Sequence, residues 1–164
     1  MNPSLVVVAG GADAERSIAR VMRTLPRGLA VPVVVIAQGP LGDAGRLDAL
    51  VLPACALPTS DVEDQEPLAP GHVHIGPAAY HLLVEPGHLS LAVDDPLASR
   101  KPSIDVLFES AAEAYGDGVL AIMLGTPEGD GDEGVRAIRA HGGRILSEHD
   151  DGLAEIVRVI GALT

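Results

Sequence analysis

Apolar runs and helix-spaced apolar positions alternate along most of this chain. Leu5 to Ala9 is an apolar run that ends in the Gly10-Gly11 turn, and it predicts a buried first strand. From Ala14 to Leu25 apolar residues recur at helical spacing, and Asp13 is placed to cap that predicted helix. Val31 to Ala37 predicts a second strand. A strand, a helix and a strand in such close succession form a right-handed unit whose two strands are parallel.

The middle of the chain carries shorter and more polar signals. Gly42 to Leu52 predicts a second helix, and the acidic stretch PTSDVEDQEPLAPG predicts a surface strand and turn. His72 to Ile75 predicts a short strand. Leu82 to Glu85 and Leu89 to Val93 flank a Pro-Gly-His sequence, which is typical of a β-hairpin.

The second half resumes the alternation after a predicted loop over Asp94 to Pro102. Helices are predicted over Ser103 to Tyr115, Glu133 to His141 and Leu153 to Leu163. Strands are predicted over Val119 to Leu124 and Arg144 to Ser147, and a loop over Gly125 to Asp132. This order predicts one domain over residues 1–164, with a doubly wound, mostly parallel α/β sheet and a small antiparallel hairpin. Ligands of such sheets bind at the carboxyl ends of strands, so the loops after Ala9, Ala37 and Leu124 are expected to build any site.

Composition narrows the classes of partner. Only 2% of the 164 residues are aromatic, so the core is expected to consist of valine, leucine, isoleucine and alanine. The net charge of −12 argues against nucleic acid and against anionic membranes, because both need clustered lysine and arginine. The single cysteine, Cys55, lies in an apolar stretch and is predicted to be a packing thiol. Without a leader-like or membrane-length apolar run, the protein is expected to be cytoplasmic.

Several separate stretches of the chain resemble one known family, in that family's order and spacing. RKPSIDVLFESAAEAYG follows the family pattern RPSVDVLF-SAA---G almost letter for letter. The other stretches are VVVAGGADAERSIARVMRTLP, PLAPGHVHIGPAAYHLLVE and VLAIMLGTPEGDGDEGVRAIRAHGG. From about Leu5 to about Glu148, the chain resembles the catalytic domain of CheB, the bacterial chemotaxis protein-glutamate methylesterase. The resemblance implies the fold of the CheB C-terminal domain.

The resemblance also implies a chemistry that the chain has partly lost. Enzymes of the family hydrolyse γ-glutamyl methyl esters on chemoreceptors, and some deamidate glutamines, through a Ser-His-Asp triad. Gly11 in GGADA stands where the family has the serine of ASTGG, and Gln38 in AQGP stands where it has the histidine of QHMP. Asp130 in GTPEGDG matches the triad aspartate, while Pro127 takes the place of a methionine. Glycine cannot attack an ester and an amide cannot accept the proton, so the resemblance implies a catalytically degenerate site.

Two further departures from the family bear on regulation and on the end of the domain. The family's later segment, with the pattern EAS-VVYGMP-AA, has no counterpart, because Ser147 leads through Asp150 and Asp151 directly into the last predicted helix. No regulatory receiver domain is expected, and therefore no control by phosphorylation within the same chain.

A serine and three histidines are further candidates for chemistry. Ser17 lies six residues beyond Gly11 and is predicted to be a solvent-facing helix serine rather than a substitute nucleophile. His72 and His74 share one face of a predicted strand, with His81 nearby in sequence. Zinc needs three or four converging ligands, and the family motifs at His72 and His81 imply no metal, so no metal site is predicted.

The two remaining candidate sites are loops. The acidic cluster from Glu128 to Glu133 lacks the glycine and the final glutamate of a calcium-binding loop, and it predicts a solvated loop that carries Asp130. The Gly10-Gly11 turn lies where a helix N-terminus could hold a phosphate. It has neither GxGxxG nor a P-loop lysine, and the neighbouring Asp13 would repel an anion.

The sequence therefore predicts a binding or scaffold module in chemosensory signalling, with signalling proteins as partners, no cofactor and no enzymatic activity. The alternative is a weak carboxylic-ester hydrolase or glutamine deamidase that acts on methylated chemoreceptors through a non-standard or partner-supplied nucleophile. A third hypothesis is that the vacated cleft binds a small ligand. Substituting Gly11→Ser together with Gln38→His is expected to rebuild the triad if these positions are matched correctly.

Overall fold

The computed structural model describes residues 2–42, 45–93, 102–127 and 129–164. The strands in these ranges are β1 Leu5–Gly10, β2 Val33–Ala37, β3 Thr59–Asp61, β4 Glu66–Pro67, β5 Val73–Ile75, β6 His81–Glu85, β7 His88–Ala92, β8 Val119–Leu124 and β9 Arg144–Ser147. The helices are α1 Glu15–Thr24, α2 Arg46–Ala54, α3 Ile104–Tyr115, α4 Asp132–Ala140, α5 Glu148–Asp151 and α6 Leu153–Gly161. Among these helices, none is long and apolar enough to cross a membrane.

The main sheet has six strands in the order β3-β5-β2-β1-β8-β9. All of its pairings are parallel. The chain starts at the centre with β1 and β2, forms the edge strand β3 next, returns with β5 between β2 and β3, and then crosses to β8 and β9 on the other side of β1. This reversal is a topological switch point, and it places the carboxyl ends of β1, β2 and β8 side by side. The predicted doubly wound, mostly parallel α/β sheet is confirmed.

Helices cover both faces of the sheet. Val6 and Val8 of β1 belong to a core cluster with residues of α1, α2 and α6. Leu5 and Val7 point the other way and pack with residues of α3 and α4, including the fully buried Phe108. A strand covered on both sides has no solvent face, which is why β1 is apolar at nearly every position instead of alternating.

A small antiparallel sheet lies apart from the main one. Its strand order is β4-β7-β6, and β6 and β7 form the hairpin predicted from the sequence. The third strand, β4, comes from the acidic stretch that was predicted to be a surface strand and turn, and β3 of the same stretch joins the main sheet instead. The Val84 N–H donates to the Ser110 hydroxyl of α3 over 2.9 Å, which attaches the hairpin to that helix.

Several element boundaries differ from the predictions. The second helix begins at Arg46 and not at Gly42, because Gly45 adopts a left-handed conformation with φ 79° directly before it. Gly39–Gly42 forms a separate 3-10 turn. The second strand begins after Pro32, which has no N–H to donate to the sheet. The loop predicted over residues 94–102 lies, except for its last residue, outside the described residues.

Two predictions about side chains of the first helix are wrong. Asp13 does not cap α1, whose first turn has Ala14 at the cap position and no side-chain cap bond. The Asp13 carboxylate instead accepts a hydrogen bond of 2.8 Å from the Thr126 N–H. Ser17 is buried rather than solvent-facing, with 8% of its surface exposed. It lies four residues before Val21, so it shares the face of the helix that packs on the sheet.

Cys55 follows α2 and packs half-buried against the core. Its sulfur accepts a hydrogen bond of 3.4 Å from the Leu57 N–H, and burial raises the pKa of the thiol. A raised pKa suppresses the reactive thiolate, so the environment of Cys55 is that of a packing residue.

A carboxyl pair joins α2 to the edge strand β3. The hydrogen bond to Asp61, followed by burial, raises the pKa of Asp48 to about 6. Because the pKa is higher in the folded chain than in the unfolded one, the stability from this pair is present below about pH 4 and is lost as the pH rises through about 6. Both side chains are partly solvated, which limits the effect to about 1 kcal/mol.

Asp48→Asn is expected to raise the melting temperature at pH 8 by about 2–4 °C, because the variant cannot place two negative charges together. At pH 4 the expected difference from wild type is near zero, because little of the stability of the pair has been lost at that pH. Melting curves across pH 4 to 8 measure this, with the exposed Asp117→Asn as a control that removes the same charge. A shift of equal size at both pH values, or in the control, would contradict the proton shared by the pair.

Candidate functional site

Three of the loops predicted to build a site meet at one edge of the sheet. Gly10 of β1 pairs with Ala37 of β2 and with Leu124 of β8. The hydrogen bonds between these strands extend one residue further. The Gln38 N–H donates to the Gly10 carbonyl over 2.9 Å, and the Gly11 N–H donates to the Leu124 carbonyl over 3.0 Å. The backbone therefore brings the first residues after β1, β2 and β8 into direct contact.

Gln38 and Asp130 meet through their side chains although 92 residues separate them in the chain. The Gln38 Nε2 amide donates to the Asp130 Oδ2 carboxylate over 2.7 Å, and only 4% of the glutamine is exposed. An amide nitrogen in this position donates a hydrogen bond to the carboxylate and has none of the basicity of an imidazole. The pair is therefore a partly buried polar contact between the residues that follow β2 and β8.

Asp130 is also the main hydrogen-bond acceptor at the start of α3. Its carboxylate accepts from the Ile104 N–H over 2.6 Å, the Asp105 N–H over 3.0 Å and the Ser103 hydroxyl over 3.1 Å. The Ser103 oxygen in turn accepts from the Val106 N–H, as an N-cap residue does. Asp130 lies in the predicted loop after β8 and is half-buried, and donors of the α3 terminus surround its carboxylate.

Asp105, in the first turn of α3, caps the start of α4. Its carboxylate accepts from the Gly134 N–H over 2.7 Å and from the Gly131 N–H over 3.0 Å, which are donors of the first turn of α4. Burial raises the pKa of Asp105, and the nearby Asp130 carboxylate adds to the rise. Asp130, in the loop before α4, thus caps α3, and Asp105 of α3 caps α4, so the two carboxylates tie the starts of the two helices together.

The position matched to the family serine is closed. Gly11 is buried, and a Cβ atom placed on it would lie 3.0 Å from the Pro127 nitrogen and from the Thr126 carbonyl carbon. The same atom would lie 3.1 Å from Asp13 Oδ1. The loop after β8 therefore lies against the glycine, where a larger residue would need space.

The backbone donors of that loop are already engaged. The Gly125 N–H donates to Glu148 over 2.9 Å, and the Thr126 N–H donates to Asp13 over 2.8 Å. This second bond lowers the pKa of Asp13. Pro127, the residue after them, has no N–H. An oxyanion needs free, preorganised donors, and these three consecutive positions offer none.

The histidines that were considered as metal ligands each have another partner. His72 Nε2 lies 2.7 Å from the Ser60 hydroxyl, and the Ser103 N–H donates to His81 Nδ1. His74 Nδ1 lies 2.5 Å from Glu66, while its Nε2 accepts from a backbone N–H, so the ring is neutral. Burial lowers the pKa of His74 accordingly. Among the described residues, no group of three His, Cys, Asp or Glu side chains could hold a metal.

Sequence reasoning missed most of the residues that shape this site. The N-cap role of Ser103 could have been predicted, because a serine that follows a proline and precedes a helical apolar pattern is a typical N-cap signal. The bonds from Asp13 to Thr126 and from Glu148 to Gly125 join residues 113 and 23 positions apart, and no local pattern indicates them.

The family model of CheB methylesterase matches residues 6–154. Protein-glutamate methylesterase/protein-glutamine glutaminase 4 of Myxococcus xanthus is 34% identical over 149 residues, which are 90% of this chain and 42% of that protein. A putative protein-glutamate methylesterase/protein-glutamine glutaminase of Leptospira interrogans is 28% identical over 144 residues, which are 87% of this chain and 75% of that protein. This chain thus spans less than half the length of the Myxococcus relative.

The structure gives an independent comparison of the fold. The crystal structure of the Thermotoga maritima CheB methylesterase catalytic domain superposes with a TM-score of 0.80 and 23% sequence identity, over 97% of this chain and 89% of that one. The fold is that of an α/β domain of the methylesterase catalytic type. The chain belongs to the CheB methylesterase family.

Proposed function

We propose that this domain is a catalytically silent member of the CheB methylesterase family that works as a binding or scaffold module in chemosensory signalling. The contact between Gln38 and Asp130 carries the proposal, because an amide occupies the place of the base and is held there by the carboxylate over 2.7 Å. Gly11 supplies no nucleophile. In subtilisin, loss of the serine or of the histidine alone costs about 10⁶-fold in turnover.

The surroundings of Gly11 support the same proposal. A site that had only lost its side chains would keep an open cavity and free oxyanion donors. Here the Thr126-Pro127 backbone lies against Gly11, and the Gly125 and Thr126 N–H groups are bonded to carboxylates. Asp130, the matched triad aspartate, has a structural role as the cap of α3, which is a reason for it to persist without catalysis.

The competing function is weak ester hydrolysis or glutamine deamidation through another nucleophile. The names of the relatives motivate that chemistry, and Ser103 is the described serine whose hydroxyl contacts Asp130. That hydroxyl donates a hydrogen bond to Asp130 and accepts one from the Val106 N–H. Its donor and its acceptor are therefore both used at the start of α3. A partner-supplied nucleophile would have to displace the loop that closes Gly11.

The purified domain is expected to release no methanol from a methylated chemoreceptor fragment above the buffer blank. Ser103 is also expected to take no label from a fluorophosphonate, because its hydroxyl donates to Asp130 and accepts from the Val106 N–H. An active methylesterase of the family serves as the positive control for both assays. Methanol release that disappears in Gln38→Ala or in Ser103→Ala would refute the silent site.

The binding half of the proposal has its own measurement. Calorimetric titration of the domain with the same receptor fragment, in methylated and unmethylated forms, is expected to show binding without hydrolysis. If the domain bound neither form of the receptor fragment nor any other chemosensory signalling protein, the scaffold role would be overturned. The proposal that the site is catalytically silent would not be affected by that result.

A further inference from the structure

A cavity of about 580 Å³ lies next to the degenerate site, at the carboxyl ends of β8 and β9. Met123, Val135 and Ile145 give it apolar lining. Its volume is within the range of about 300–1,000 Å³ that is usual for small-molecule pockets. Gly125, Thr126 and Pro127 of the loop that lies against Gly11 line the cavity, whereas Gly11, Gln38 and Asp130 do not. The cavity is therefore adjacent to the candidate site and shares that loop with it.

The charged groups of the cavity come from two different helices. Arg136 and Arg139 stand one turn apart on α4, both exposed, and no carboxylate of the described residues forms a salt bridge with either. Asp150 and Asp151 stand on α5, which follows the edge strand β9. Asp132, one turn before Arg136, also lines the cavity.

This distribution of charge excludes simple ions as the best ligand. A purely anionic molecule that reached the two arginines would also face three aspartates, and a purely cationic molecule would face both guanidinium groups. A molecule with one anionic and one cationic group can place its anionic group at the arginines of α4 and its cationic group at the aspartates of α5. The apolar lining favours an apolar part in the same molecule.

We propose that this cavity binds a zwitterionic ligand of the size and chemistry of an apolar dipeptide. The ligand carboxylate bonds to Arg136 and Arg139 of α4, its ammonium group faces the α5 carboxylates, and its apolar side chains cover Met123 and Ile145. The proposal does not depend on whether the neighbouring site is silent, because none of the residues that carry it belongs to that site.

Calorimetric and thermal-shift titrations with the dipeptide Ala-Leu test the proposal. Three matched probes each remove one feature: N-acetyl-Ala-Leu lacks the ammonium group, Ala-Leu amide lacks the carboxylate, and Gly-Gly lacks the apolar side chains. Ala-Leu is expected to bind and, at ten times its Kd, to raise the melting temperature by about 3–6 °C. Each blocked dipeptide is expected to bind about tenfold more weakly.

The variants locate the site. The double variant Arg136→Ala with Arg139→Ala is expected to weaken Ala-Leu binding at least about tenfold. It is expected to stay folded, because both arginines lie on the exposed face of α4. The matched control is Arg20→Ala with Arg23→Ala, which removes two exposed arginines at the same spacing from α1. The proposal is overturned if Ala-Leu does not bind, if the blocked dipeptides bind equally well, or if both double variants behave alike.

Discussion

Asp130→Ala is expected to lower the melting temperature by about 6–12 °C. The substitution leaves the Ile104 and Asp105 N–H groups, the Ser103 hydroxyl and the Gln38 amide without their acceptor. Lost caps and unpaired half-buried donors cost about 1 kcal/mol or more each, and partial rescue by water limits the sum to about 3 kcal/mol. For a domain of this size, each kcal/mol is worth roughly 2–4 °C.

The matched control is Asp132→Ala, two residues further on. Asp132 is exposed in the first turn of α4, so its loss removes only a favourable interaction with the helix dipole, about 0.3–1 kcal/mol. Asp130→Asn keeps one carbonyl oxygen and is expected to fall between the two. If calorimetry gave Asp130→Ala and Asp132→Ala the same melting temperature, the capping role of Asp130 would be excluded.

The capping role also changes how an activity assay is designed. Because Asp130→Ala disturbs the start of α3, a lost activity in that variant would not distinguish chemistry from folding. Gln38→Ala is the better probe of the site, since Gln38 contacts the same carboxylate without holding a helix end.

Gly11→Ser combined with Gln38→His is expected to leave ester hydrolysis at the background level. The sequence predicts that this pair rebuilds a triad, but the structure adds a steric condition, because a Cβ atom at position 11 lies 3.0 Å from the Thr126-Pro127 backbone. Overpacking of this kind costs about 1–3 kcal/mol, so Gly11→Ser alone is expected to melt roughly 2–12 °C lower. The Gly125 and Thr126 N–H groups are bonded to carboxylates and cannot stabilise an oxyanion, so turnover is expected to stay low even if the loop moves.

The control for the steric term is Gly28→Ser. Gly28 is exposed and a Cβ atom there meets nothing within 4 Å, so its melting temperature is expected to stay within about 2 °C of wild type. Adding Asp13→Ala and Pro127→Met to the double variant frees the Thr126 N–H and restores one at position 127. Turnover from the double variant alone, measured with p-nitrophenyl acetate, would contradict the closed position.

The fold was largely predictable, and the misplaced elements have local causes. The buried strands from Leu5 and Val119 are apolar on both faces, and strand and helix signals of this kind survive without tertiary information. The second helix was misplaced because its apolar residues give almost no one-sided pattern, whereas a left-handed glycine sets where it starts. β3 and β4 are too short for the sequence to show which sheet they join.

The candidate site divides in the same way. Sequence motifs pointed to Gly11, Gln38 and Asp130, and the switch point of the sheet explains why residues after β1, β2 and β8 gather at one edge. The motifs did not indicate that Asp130 caps a helix that begins 26 residues earlier, nor that Asp13 bonds to Thr126 instead of capping α1.

The sequence by itself determined the family, the alternation of strands and helices, and the absence of a serine and a histidine at the two matched positions. These properties depend on residue identity and on spacing within one element, which a linear pattern records. Only the tertiary structure decided that Gly11 is closed by the loop after β8, that Asp13 and Glu148 occupy that loop's donors, and that arginines and aspartates of separate helices line one cavity. Each of these depends on distances between segments far apart in the chain, which packing of the sheet and its helices sets.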